Sequence, residues 1–147
     1  MAAACVPAYN VVRGMAEPGV SWMDEQAIAA ALEVLDRHMA GLNARDPQAL
    51  AATLHFPHYR LSGGTMRVWQ TPDTYFGDFL DRAGDGWHHS AWLERRPIAA
   101  SADKVHLDVS FVRCRADGSE LGRFRSLWIV SRLNGVWAAQ ARSSFAA

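Results

Sequence analysis

Two periodicities divide this chain. Apolar residues recur every three or four positions at Ile28, Leu32, Leu35, Met39 and Leu42, the stripe of an amphipathic helix with one buried side. From Val105 to Phe145 they recur at every second position instead, as on strands with one covered face. This last stretch reads as three strands, Val105 to Arg115, Leu121 to Leu133 and Val136 to Phe145, separated by Asp117-Gly118 and Asn134-Gly135. Both dipeptides suit a type I′ turn, whose central residues take positive φ, so an antiparallel meander is expected.

Two-residue turns also set the register. Asp117-Gly118 pairs Phe111 with Phe124, Leu107 with Trp128 and Val105 with Val130. Asn134-Gly135 pairs Leu133 with Val136, hence Trp128 with Ala141 and Leu127 with Arg142. Paired residues share a face, so Phe111, Phe124, Trp128, Trp137, Ala141 and Phe145 join the valines on one apolar surface. His106, Asp108, Ser110, Arg125, Leu127, Ile129 and Arg142 share the other.

Ahead of the meander, Ser21 is the expected cap of the first helix, with Asp24 at its third position. Asp46-Pro47 caps and opens a short second helix, and Thr71-Pro72-Asp73 opens a third that runs through Tyr75, Phe76, Phe79 and Leu80 to Gly84. Between them, Gly63-Gly64 reads as a hairpin turn, with Tyr59, Leu61, Met66 and Val68 expected inside and His58, Arg60, Arg67 and Trp69 outside. Trp87 to Ile98 is a further strand, which Pro97 confines to an edge or a bulge. Segregated helices and antiparallel strands define an α+β fold with helices on one face of a curved sheet.

Composition narrows the class of partner. The 147 residues suffice for one domain with an ordinary core, and half of them are hydrophobic. The net charge of zero argues against nucleic acid and anionic membrane surfaces. Cys5 and Cys114 have no metal-binding spacing and read as free thiols in a cytoplasmic protein. Residues 1–20 read as a loose arm without the layout of a secretory signal, and residues 21–147 as the domain.

The step Asn43-Ala44-Arg45-Asp46-Pro47, the Gly63-Gly64 hairpin after His55-Phe56-Pro57-His58, and the ending Asn134-Gly135-Val136-Trp137 followed by Ala141 to Phe145 resemble the nuclear transport factor 2-like superfamily, in particular its bacterial SnoaL-like members. The resemblance implies a cone: a curved mixed or antiparallel sheet of about six strands wrapped around three N-terminal helices, with an internal pocket and frequent dimerisation through the sheet. It implies a small-molecule ligand and, in many relatives, cofactor-free isomerase or lyase chemistry. Other relatives have no known activity, so fold alone leaves the activity open, with a non-catalytic ligand-binding or dimeric interaction module as the alternative.

No motif fixes a reaction. His55 and His58, flanking Pro57, are candidate acids or bases at the mouth of the cone, or else loop-fixing hydrogen bonders. Tyr59, Tyr75, Trp92, Phe111 and Trp128 are candidate pocket aromatics for an apolar or cyclic ligand, with plain core packing as the alternative. Asp108, Leu127, Ile129 and Arg142 are expected at a homodimer interface. If the sheet curls the other way, Asp108 and His106 become an acid/base pair held by Arg142. His88 and His89, adjacent on a strand, are expected to point apart, and neither a metal nor a cofactor is expected.

Overall fold

A computed structural model describes residues 22–146. The arm expected at residues 1–20, with Cys5 in it, and the cap expected at Ser21 lie outside the described residues. The elements are α1 (Glu25–Asn43), α2 (Pro47–Ala51), β1 (Leu54–Ser62), β2 (Thr65–Trp69), α3 (Tyr75–Ala83), β3 (His89–Ala100), β4 (Lys104–Cys114), β5 (Glu120–Leu133) and β6 (Val136–Ser144). The strands form one six-stranded mixed sheet in the order β2-β1-β6-β5-β4-β3, with β1 parallel to β6 and all other neighbours antiparallel. Helix α1 lies against β3 to β6, and this layer is the core.

Helices α1 and α2 start where side chains satisfy their first N–H groups. Asp24 caps α1 by accepting from the Ala27 N–H at 2.9 Å, three residues after the position expected from Ser21. Asp46 caps α2 as expected, accepting from Gln48 and Ala49 at 3.1 Å each. The third helix begins at Tyr75, later than its Thr-Pro-Asp signal, and Thr74 at its N-terminus makes no side-chain capping hydrogen bond. On α1 the fully buried side is Ala27, Ala31, Val34, Leu35, His38 and Leu42, while Ile28, Leu32 and Met39 pack at its margins. The face is rotated toward small residues because the helix sits close over the strands. His38 is carried into the interior as a result.

The β4–β5 register is the expected one, with Phe111 opposite Phe124, Leu107 opposite Trp128 and Val105 opposite Val130. Its turn is different: Gly118 alone takes positive φ (86°), the Arg115 N–H donates to the Ser119 carbonyl, and a bulge at Cys114 takes up the extra loop residue. Asn134 and Gly135 both take positive φ (51° and 78°), as a type I′ turn requires.

Two expectations about facing fail. In β6, Val130 faces Ala139 but Ile129 faces Ala141, leaving Gln140 as an extra residue. Beyond this bulge the register slips by one, so Trp128 pairs with Arg142, and Leu127 with Ser143. Arg142 therefore shares the helix-facing surface with Trp128, Ala141 turns outward, and Phe145 is 82% exposed rather than inside. In the β1–β2 hairpin the assignment is reversed: His58, Arg60 and Trp69 are buried, while Tyr59, Leu61, Met66 and Val68 are exposed. Polar side chains are tolerated inside because that end of the sheet borders a cavity. Strand β3 is an edge strand with bulges at Trp92–Glu94 and Pro97–Ala99, the two accommodations open to a strand proline.

Candidate functional site

The helix-facing side of the sheet does not close completely on the helices. Between them lies a cavity of about 40 Å³, room for roughly three water-sized groups. Helix α1 contributes His38, Met39 and Leu42, and α3 contributes Tyr75, Phe79 and Arg82 at the i, i+4, i+7 spacing of one helical face. The strands contribute Arg60, Trp92, Phe111, Arg113, Ser126, Trp128 and Arg142. Of the expected pocket aromatics, Tyr75, Trp92, Phe111 and Trp128 line this cavity. Tyr59 does not, because the reversed facing of the hairpin puts it outside.

His38 is held in one tautomer. The Thr53 hydroxyl donates to the Leu50 carbonyl at 2.7 Å, so its oxygen accepts from His38 Nδ1–H at 2.9 Å. The His38 ring stands edge-on to Trp128, centroids 4.9 Å apart, and its Nε2 carries the lone pair. Burial first, then the cationic Arg142, hold its pKa well below the usual histidine range. It is a neutral imidazole at any pH near 7.

The expected catalytic candidates lie elsewhere. His58 is fully buried behind Tyr75, ring centroids 5.7 Å apart, and donates from Nδ1 to the Ala139 carbonyl at 3.1 Å. Burial and Arg142 push it down to about 3. His55 hydrogen-bonds through Nε2 to the Ser131 carbonyl at 2.8 Å, tying β1 to β5. Asp108 faces away from the helices and is bound by Arg125 at 2.9 Å and Arg96 at 2.8 Å, whose hydrogen bonds hold its carboxyl far below the usual range. His106 is paired with Ile129 on that same outer face, so an interior Asp108–His106 pair held by Arg142 does not exist. His88 and His89 do not point apart: His88 precedes β3, and the two Nδ1 atoms are 3.0 Å from each other. Among the described residues no group of three or more His, Cys, Asp or Glu is placed to hold a metal ion.

The sequence reading missed His38, Arg82 and Arg113 as cavity residues and placed Arg60 and Arg142 on outward faces. The signal for His38 was the spacing Ala31, Val34, His38, Leu42 on α1, and for Arg113 the continued alternation Val105, Leu107, Val109, Phe111, Arg113. Arg142 had no such signal, since nothing local marks Gln140 as a bulge.

The cavity is strongly cationic. Arg60, Arg82, Arg113 and Arg142 border it, and no Asp or Glu lines it among the described residues. Burial, followed by repulsion from a neighbouring arginine, lowers Arg60, Arg82 and Arg113 to about 10, so each stays charged at neutral pH. Aromatic faces provide partial compensation: Arg142 Cζ lies 4.8 Å from the centre of the Trp128 ring, Arg113 Cζ 4.8 Å from Phe124 and Arg82 Cζ 5.4 Å from Trp69. Arg142 also donates to the Tyr75 hydroxyl.

The elements define an α+β cone with an aromatic, donor-rich cavity under its helices. The chain belongs to the family described as NTF2-like protein (DUF6841), whose model matches residues 24–141. Solved structures share the fold at low identity. A protein of unknown function with a cystatin-like fold from Nostoc punctiforme PCC 73102 aligns with TM-score 0.70 and 11% identity over 86% of this chain and 96% of its own. An NTF2-like protein with a cystatin-like fold from Novosphingobium aromaticivorans gives 0.66 and 13%, over 82% of each chain. A ketosteroid isomerase-like protein from Erwinia carotovora atroseptica SCRI1043 gives 0.62 and 15%, over 84% of this chain and 98% of its own. None of the curated proteins matches the chain. No helix among the described residues is long and apolar enough to cross a membrane.

Proposed function

We propose that the cavity is the functional site and that it moves a proton on a small, flat substrate, the chemistry of a cofactor-free isomerase or lyase of the SnoaL-like type. His38 carries this reading. A neutral imidazole, locked with its proton on Nδ1 by Thr53, has its Nε2 lone pair available on a cavity-lining ring, as a general base requires. Arg142 and the Tyr75 hydroxyl, bonded to each other at the same cavity, are donors suited to the charge that develops on a carbonyl oxygen as a neighbouring carbon loses its proton. The ketosteroid isomerase-like neighbour supports proton transfer as a use of this fold, without fixing the substrate.

The test is deuterium incorporation beside the carbonyl of small cyclic ketones and keto acids in D2O, followed by NMR. Wild-type protein is expected to accelerate exchange, and His38→Gln to lose about a hundredfold or more of that rate. Equal exchange by both proteins would sink the base assignment.

A second reading, a binding module without turnover, is favoured by the narrowness of the 40 Å³ cavity, which its own aromatics largely fill. In either case we propose a homodimer formed through the outer sheet face. There the rows Val68, Tyr59, Ala141, Ile129 and Met66, Leu61, Ser143, Leu127 run across four strands and end at the Asp108 ion pairs. Arg142, which the bulge turns inward, is no part of that surface.

A further inference from the structure

We infer that the cavity is an oxyanion site: Arg82 and Arg142 receive the acidic group of a small planar ligand whose ring lies against Trp92 and Trp128. The inference deepens the proposed function by naming the substrate class, and it rests on the cavity being the functional site.

The argument is one of unmatched chemistry. Burying a cation costs several kcal/mol unless an anion and hydrogen bonds compensate it, and a lone cation–π contact returns about 2 kcal/mol at most. Here the half-buried guanidinium groups of Arg82 and Arg142 border a cavity that no described carboxylate lines, beside the buried Arg113 and Arg60, the latter donating to the Ala146 carbonyl at 2.6 Å. Asp78, one helical turn before Arg82 on α3, is already engaged by the Trp69 indole N–H at 2.8 Å and by Arg67 at 2.7 Å. Among cavity-lining residues, the buried side-chain atoms without a hydrogen-bond partner include Arg82 Nε and NH1, Arg142 Nε and Trp128 Nε1. All of these are donors, so the cavity is short of acceptors.

A carboxylate or a phosphate supplies them, being acceptor-only and matched to the guanidinium fork. The space for roughly three water-sized groups holds such a head group, while the flanking aromatics suit a flat remainder. The site is also coupled to the proposed base. Arg142 is the largest charge acting against protonation of His38, so an anion bound to Arg142 strengthens His38 as a base in the occupied site.

Four probes test this with the whole chain: benzoate, phenyl phosphate, inorganic phosphate and benzyl alcohol, the last being a neutral counterpart of benzoate. Binding is read from the change in tryptophan fluorescence, to which Trp92 and Trp128 at the cavity contribute among the six tryptophans, and from the melting temperature. At least one oxyanion is expected to bind at least tenfold more tightly than benzyl alcohol and to raise the melting temperature. Preference for benzoate assigns a carboxylic acid ligand, and preference for either phosphate probe assigns a phosphate.

Arg82→Met and Arg142→Met are expected to lose at least tenfold in oxyanion affinity while melting no lower than wild type without ligand, since each removes a half-buried charge with unpaired N–H groups. A purely structural arginine would instead lower the melting temperature when replaced. Binding of benzyl alcohol as tightly as every one of the three oxyanion probes would overturn the oxyanion site while leaving the pocket intact. Failure of all four probes would overturn both. Oxyanion binding with no deuterium exchange would leave this inference standing and remove only proton transfer.

Discussion

His38 and His58 are buried as neutral rings, and this makes folding sensitive to mild acid. In the unfolded chain each takes a proton near pH 6.5, whereas in the fold His58 resists until about pH 3 and His38 until well below its ordinary value. Below pH 6.5 the unfolded state therefore binds more protons, so stability is full above that pH and falls as pH drops. Two such groups give a slope of up to about 2.7 kcal/mol per pH unit. Urea unfolding between pH 6.5 and 4.5 is expected to show this slope, and His58→Leu to remove about half of it. An unchanged slope in the variant would mean that His58 is already protonated in the fold.

At the scale of elements, local signals were readable wherever one residue acts on its neighbours. Asp46 illustrates this: its carboxylate takes two N–H groups of α2, and Asp46→Ala is expected to cost about 1 kcal/mol in chemical denaturation with no change in ligand binding. A loss below about 0.3 kcal/mol would show that α2 is held by packing alone. The Asn134-Gly135 turn was equally legible, because its φ requirement is written into two residues. What was not legible depended on partners far along the chain. The β1–β2 hairpin alternates cleanly, but alternation does not say which side is in, and Trp69, His58 and Arg60 are inside because α3 and the cavity lie there. Gln140 bulges for a reason that rests in the pairing of β6 with both β1 and β5, which no window of sequence contains.

For the whole molecule, the α+β class, the meander and the order of elements followed from periodicity and turn chemistry, while the character of the interior did not. An apolar pocket was the natural expectation from Trp92, Phe111 and Trp128. The cationic lining emerges only when Arg60, Arg82, Arg113 and Arg142, from four separate elements, are brought to one place. The outer surface makes its own prediction. Exposed Met66 (57%) and Val68 (41%) on β2 are joined through Leu61 and Tyr59 on β1 and Ser143 and Ala141 on β6 to the partly covered Leu127 and Ile129 on β5, a largely apolar area of the kind that marks an interface. Light scattering is expected to give a dimer mass for the wild type and a monomer mass for Ile129→Lys, with unchanged circular dichroism. A monomeric wild type would rule the dimer out.

The extra residue at Gln140 bears on how this cavity is traced through its relatives. Arg142 stands seven positions after the turn glycine, Gly135, but in a relative with an unbulged last strand the equivalent inward position stands six after it. An ungapped comparison would match Arg142 with an outward side chain, and at 11–15% identity nothing nearby would correct the slip. Whether a relative shares the cationic cavity is decided by counting from the turn with a gap placed at 140, and an arginine conserved in space can look unconserved in sequence.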